Sequence, residues 1–145
     1  MDQKEKFPIF PMHFRGILLL AGMYTVAWSA FFKWFGPALI KWLAMTDVGP
    51  EQLTSNWYGS FGLIVGFVIF ISAFYPVSYL YLVLGGIAGK ILLAIWFGVE
   101  FLPALGWNKR TGFHLLFNEL LWIIPMTVVA WRAHLVKKYL DSQEE

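Results

Sequence analysis

The chain reads as an all-α integral membrane protein: a four-transmembrane-helix bundle with one in-plane interfacial helix after the first span. Three observations predict this. Of 145 residues, 59% are hydrophobic and 19% aromatic against 14% charged, and the mean hydropathy is +0.62, outside the balance of a water-soluble domain. The apolar residues gather in four blocks, each approaching the roughly 20 residues that cross about 30 Å of hydrocarbon. The few polar residues inside those blocks fall at chosen places, described below. The whole of 1–145 is expected to form one membrane domain.

The N-terminal "MDQKEKFPIFPMHFR" is polar, then aromatic with two prolines, as suits a segment entering at the headgroup level. The first span covers 16–32, "GILLLAGMYTVAWSAFF", with no formal charge and with Tyr24, Thr25 and Ser29 as its polar breaks. A cleaved signal peptide is the rival reading, because Lys4, Lys6 and Arg15 precede it and small residues follow at Ala27 to Ala30. The run is long for such a leader, and the bulky Phe31 and Phe32 stand where a mature chain would begin.

The interfacial helix is placed over 34–45. Trp34, Phe35, Ala38, Leu39, Trp42 and Leu43 recur at three- to four-residue spacing, and Lys33 and Lys41 can reach water. Gly36-Pro37 could instead only break an extension of the first helix, but proline at a first turn favours a new one. Asp47 to Asn56, with Gly49-Pro50, is the exposed turn that follows. The second span, 57–74, opens on Trp57-Tyr58, a pair of the kind that anchors helix ends at the interface. Tyr75-Pro76 ends it so close to the third span, 77–101, that the two must form a tight antiparallel hairpin. Gly106 to Gly112, "GWNKRTG", is the last exposed turn, and 113–135 is the fourth span.

Four spans put both termini on one side. With Lys4, Lys6, Arg15, Arg132, Lys137 and Lys138 there, against Lys33, Lys41, Lys109 and Arg110 opposite, the positive-inside rule favours cytoplasmic termini. The expected location is a bacterial cytoplasmic membrane. A net charge of +2 without any basic run argues against nucleic-acid partners, and with no cysteine there is no disulfide, thiolate metal site or peroxidatic thiol.

Lys90 in the third span and His114, Asn118 and Glu119 in the fourth sit where water is scarce. A charge at the bilayer centre costs at least about 2.5 kcal/mol, so these groups should face inward. Residues three and four apart share a helix face, which puts His114, Asn118, Trp122 and Pro125 in one stripe, with Glu119 about 100° round from Asn118. Lys90 closes "GGIAGK", where Gly85 and Gly89 make a small-xxx-small pair beside Gly86; Gly62 and Gly66 make another in the second span. Such pairs let helix backbones approach. The expected arrangement is a Lys90 and Glu119 pair with Asn118 as its hydrogen-bonding neighbour. That pair either locks the helices together or forms a site. Pro125 frees a backbone carbonyl one turn earlier and kinks its helix. His13 and His134 fall at the other face of the membrane from His114, so no metal or haem site is expected, and no cofactor is assigned.

In order and spacing, "GSFGLIVGF", "GGIAGK" and "FNELLWIIP" resemble a group of small bacterial four-helix membrane proteins of DoxX-like appearance. Their third helix carries G-x-x-G-K, here on Gly86 to Lys90, and their fourth N-[DE]-L-x-W-x-x-P, here on Asn118, Glu119, Leu120, Trp122 and Pro125. The likeness spans 16–135. Some members bear an alkyl hydroperoxide reductase label, which cannot apply through a thiol in this chain. A second, weaker resemblance is to the sterol-isomerase superfamily, where acidic and Asn/Trp groups in a helical bundle handle a lipophilic substrate.

Function is therefore expected to be non-enzymatic: an accessory subunit of a larger membrane complex or homo-oligomer, or a binder of a hydrophobic molecule such as a quinone or isoprenoid lipid. Its polar focus is the set Lys90, His114, Asn118, Glu119 and Trp122. The alternative is an enzyme moving a proton on a lipophilic substrate, with Glu119 as acid/base, Lys90 tuning it and Asn118 orienting a substrate oxygen. A proton or ion pathway is the third possibility.

Overall fold

The structure, a computed structural model, describes residues 9–45 and 53–144. Every regular element among them is helical. Lys4 and Lys6, and most of the turn expected over 47–56, lie outside the described residues.

Helix α1 is Met12–Trp34, α2 Gly36–Ala44, α3 Asn56–Ser72 and α4 Leu80–Trp96. A first π-helical segment, Phe97–Phe101, and the single turn α5, Leu102–Leu105, continue α4. Then α6, Lys109–Phe113, a second π segment, His114–Leu120, and α7, Leu121–Glu144, form one unbroken helix. Three of these rods are long and apolar enough to cross a membrane: Met12–Trp34 with 23 residues, Leu80–Leu105 with 26 and Lys109–Glu144 with 36. Helix α3 is apolar but shorter, at 17 residues.

Several boundaries differ from the sequence expectation, each for a local reason. The third rod runs through Pro103 to Leu105: the Leu102 N–H reaches back to the Phe97 carbonyl, so the winding carries on to the proline, which stands at the start of α5. It stops at Gly106, whose φ of 80° only glycine adopts at ease. The exposed turn is thus shorter than 106–112. Asn108 caps α6 by accepting from the Arg110 and Thr111 backbone N–H groups at 2.7 and 3.0 Å, while its own N–H donates to Thr111 Oγ1 at 2.9 Å. The last rod therefore starts at Lys109. It also continues to Glu144, well past 135, and Pro125 lies within α7 without ending it.

Glycines set how closely the rods approach. A Cβ at Gly22 of α1 would stand 2.6 Å from the Phe70 backbone nitrogen of α3, and one at Gly59 would stand 2.7 Å from the Ser29 carbonyl. Gly66 faces Val26 and the Gly22 carbonyl, and Gly62 faces Ser29 Oγ. So α1 and α3 run antiparallel with their backbones nearly touching. Between α3 and α4 the approach uses Gly86 against Ile69 and Gly89 against Val65. Gly85, expected to pair with Gly89, has open space around its Cβ position. The reason is angular: α3 packs on the face that carries positions 86, 89 and 93, and residue 85 points away from it.

Helix α2 starts where α1 breaks at Phe35 and ends at Met45 in the left-handed region, φ 57°. Its last carbonyls are satisfied from the far turn: Asn108 Nδ2 donates to the Leu43 carbonyl and Arg110 Nη1 to the Trp42 carbonyl, both at 2.8 Å. The Arg110 guanidinium also lies over the Trp42 ring at 4.8 Å. The buried face is Gly36, Ile40 and Leu43, and Trp34, Phe35 and Trp42 are exposed.

A buried polar network as the candidate functional site

The site begins with the winding of the second π segment. In an α-helix, residues five apart stand about 140° from each other. A π-helix hydrogen-bonds i to i+5, which brings such residues nearly over one another; Leu121 N–H accordingly reaches the Leu116 carbonyl. Glu119 thereby turns toward His114: its Oε1 lies 3.8 Å from His114 Nε2. An α-helical count separates these two side chains, and only the wider turn unites them.

Lys90, fully buried on α4, follows Gly89, where the close approach of α3 leaves its stem in the interior. Its ammonium donates to the Asn118 backbone carbonyl at 2.7 Å and lies 3.6 Å from Glu119 Oε2. Asn118 thus meets Lys90 through its main chain. Its side chain serves others: Oδ1 accepts from the Tyr24 hydroxyl of α1, and Nδ2 donates to His114 Nδ1 at 2.9 Å.

The imidazole's tautomer follows from the Asn118 amide orientation. The Asn118 oxygen is taken by a hydroxyl donor, so its amide nitrogen faces His114 and Nδ1 must accept. A neutral ring then carries its proton on Nε2, which lies 2.8 Å from the Tyr58 hydroxyl and donates to it. Tyr58 in turn donates to Glu119 Oε1 at 3.5 Å. The hydrogen bonds run in one direction, from Tyr24 through Asn118, His114 and Tyr58 to the carboxylate. Four helical segments, α1, α3, α4 and the second π segment, each contribute at least one member.

Glu119 is the loosest member. Its three polar neighbours stand at 3.5, 3.6 and 3.8 Å, beyond the usual length of a strong hydrogen bond, and Oε2 has no hydrogen-bond partner. Among the described residues, Thr25 Oγ1 is the other buried side-chain oxygen without one.

Aromatic rings close the cluster. Around the His114 ring, Phe97 stands at 4.4 Å, Phe32 at 5.0 Å and Trp28 at 6.0 Å between centroids. Phe97 belongs to the first π segment and stacks on Phe101 at 5.4 Å, so both π segments border the site. Trp122 is half-buried with its ring 5.5 Å from that of Tyr24, and so acts as a wall. Lys90, His114, Asn118 and Tyr58 are at most 2% exposed and Glu119 is 4% exposed.

Of the sequence candidates, Lys90, His114, Asn118 and Glu119 come together and Trp122 flanks them. Pro125 lies a further turn along α7. Tyr24 and Tyr58 were missed. Tyr24 read as a polar break and Tyr58 as an interfacial anchor, but only Trp57 of the Trp-Tyr pair is exposed, while Tyr58 turns inward. A phenol two residues into an apolar helix carries no mark in the sequence of which way it points. His134 lies about 30 Å further along the same rod than His114, beside Trp131. Among the described residues no group of three or more His, Asp or Glu side chains is placed to hold a metal ion.

Comparison with protein-family models, curated proteins and solved structures gives no match.

Proposed function

We propose that the chain is a small four-span membrane protein whose polar network holds its helices in one register, and that it acts as an accessory subunit of a membrane assembly. In this reading α3 with the turn after it completes the fourth crossing, and α2 lies in the interface with Trp34, Phe35 and Trp42 toward lipid. The termini face the cytoplasm of a bacterial cell, and the G-x-x-G-K and N-E-L-x-W-x-x-P residues are taken as a likeness to the DoxX-like proteins. The observation that carries the proposal is the convergence of Tyr24, Tyr58 and Lys90, from three helices, on the second π segment. In hydrocarbon each of these polar groups needs a partner, and only one alignment of the helices satisfies them together. Buried ionic and polar groups are best supported as devices that select register. The test is Glu119→Gln in membranes: a lock predicts loss of detergent-resistant folded protein.

A second reading is favoured by the loosely held carboxylate and the two π segments, a winding common at functional sites. Glu119 would then be the acid/base or anchoring group for a hydrophobic molecule such as a quinone or isoprenoid lipid, with Lys90 and His114 as its neighbours. Here Glu119→Gln gives a folded protein that has lost bound ligand, read by native mass spectrometry of gently extracted material.

A further inference from the structure

Where the last rod leaves the hydrocarbon, it builds a basic groove against the start of α4. Leu80, His134, Lys137, Lys138, Asp141 and Ser142 line it, around about 420 Å³; the imidazole and the two ammonium groups are its donors, while the Ser142 hydroxyl is spent on the Tyr139 carbonyl at 2.6 Å. The rod has 36 residues and so rises about 54 Å, against about 30 Å of hydrocarbon. Measured from Phe113, about 30 Å of helix ends near Arg132. Lys137 and Lys138 then stand roughly 8 Å further out, within the headgroup layer. Exposed aromatics ring the same end: Tyr75, Tyr79 and Tyr81 before and in α4, and Trp131 on α7, as at a membrane interface. Arg132 Nε donates to the Ile9 carbonyl at 2.6 Å, which brings Ile9 and the first turn of α1, with exposed Arg15, to this end.

Two cations at the other end are committed within the protein. Lys33 donates to Ser60 Oγ at 2.6 Å and Asn56 Oδ1 at 3.1 Å, and Arg110 is held on Trp42. Lys137 and Lys138 line an open groove whose one carboxylate is that of Asp141.

We propose that this groove binds the phosphodiester headgroup of an anionic membrane phospholipid. Its phosphate sits between Lys137 and Lys138, the His134 ring donates at its edge, and an acyl chain descends along Leu80. The inference rests on the membrane placement of the last rod given above.

The test uses the full chain in nanodiscs of phosphatidylcholine with or without phosphatidylglycerol, released for native mass spectrometry. The wild type is expected to retain phosphatidylglycerol in preference to phosphatidylcholine. Lys137→Gln/Lys138→Gln should reduce that preference about twenty-fivefold, at roughly fivefold per lysine. Asp141→Asn should raise it, and Lys41→Gln at the other end should leave it unchanged. Added inorganic phosphate should not displace the lipid, since the acyl chain contributes to binding. An equal preference in wild type and double variant overturns the proposal, as does displacement by free phosphate. A chain that fails to enter either nanodisc overturns the membrane placement and this site with it.

Discussion

Removing one partner of the Lys90 and Glu119 pair should cost far more than removing both. At 3.6 Å and an effective dielectric of about 20, opposite unit charges attract by about 4–5 kcal/mol, roughly what their desolvation consumes. Lys90→Met leaves the Glu119 carboxylate with only the Tyr58 hydroxyl at 3.5 Å and the imidazole at 3.8 Å. It also strips the Asn118 carbonyl of a donor at 2.7 Å. An uncompensated buried charge costs about 3–5 kcal/mol, and the lost bond adds about 1 kcal/mol. Glu119→Gln leaves the ammonium on the Asn118 carbonyl, so it should fall at the lower end of that range. Lys90→Met/Glu119→Gln removes both charges at nearly constant volume and should lie within about 2 kcal/mol of wild type. The assay is reversible unfolding in mixed micelles of increasing SDS fraction, followed by tryptophan fluorescence, as a double-mutant cycle. Additive single costs, or singles within about 1 kcal/mol of wild type, would refute the coupling.

Further outcomes follow from other contacts. Tyr58→Phe should lose about 1–3 kcal/mol by leaving His114 Nε2 and Glu119 without the hydroxyl. In the wild type, 15N NMR of the imidazole should find the proton on Nε2; a proton on Nδ1 would contradict the assigned bond direction. Gly22→Ala should destabilise by about 1–3 kcal/mol, because its Cβ meets Phe70 backbone rather than a movable side chain. Gly85→Ala, with open space around it, should be neutral or stabilise by up to about 1 kcal/mol through helix propensity, and the SDS titration ranks the two. Asn108→Ala should cost about 1 kcal/mol by removing the α6 cap, and should raise hydrogen exchange at the end of α2, whose Leu43 carbonyl it also holds.

The long apolar runs were legible in the sequence because a bilayer-length stretch without charges has few other uses. Intramembrane Lys90 and Glu119 stood out because a lone charge in hydrocarbon is costly. The winding was not legible. "HLLFNEL" has no residue that forces i to i+5 bonding, so the count that set Glu119 apart from His114 assumed 3.6 residues per turn. Nor could the sequence rank its glycines, since Gly85 and Gly86 differ only in which faces α3. Tyr58 was hidden for a related reason: an aromatic with a polar tip at a helix start serves an interface or a buried network equally well, and the choice lies in the neighbouring helices.

Whether the network is enclosed can be read directly by carbodiimide labelling of the protein in its native membrane, followed by peptide mass spectrometry. Glu100, exposed on the same rod as Lys90, reports that the reagent has reached the bilayer. The account predicts that Glu100 is modified while Glu119 stays unmodified in the wild type and becomes modified in Lys90→Met. Stoichiometric modification of Glu119 in the unaltered chain would contradict it, for the carboxylate would then open onto lipid as a site.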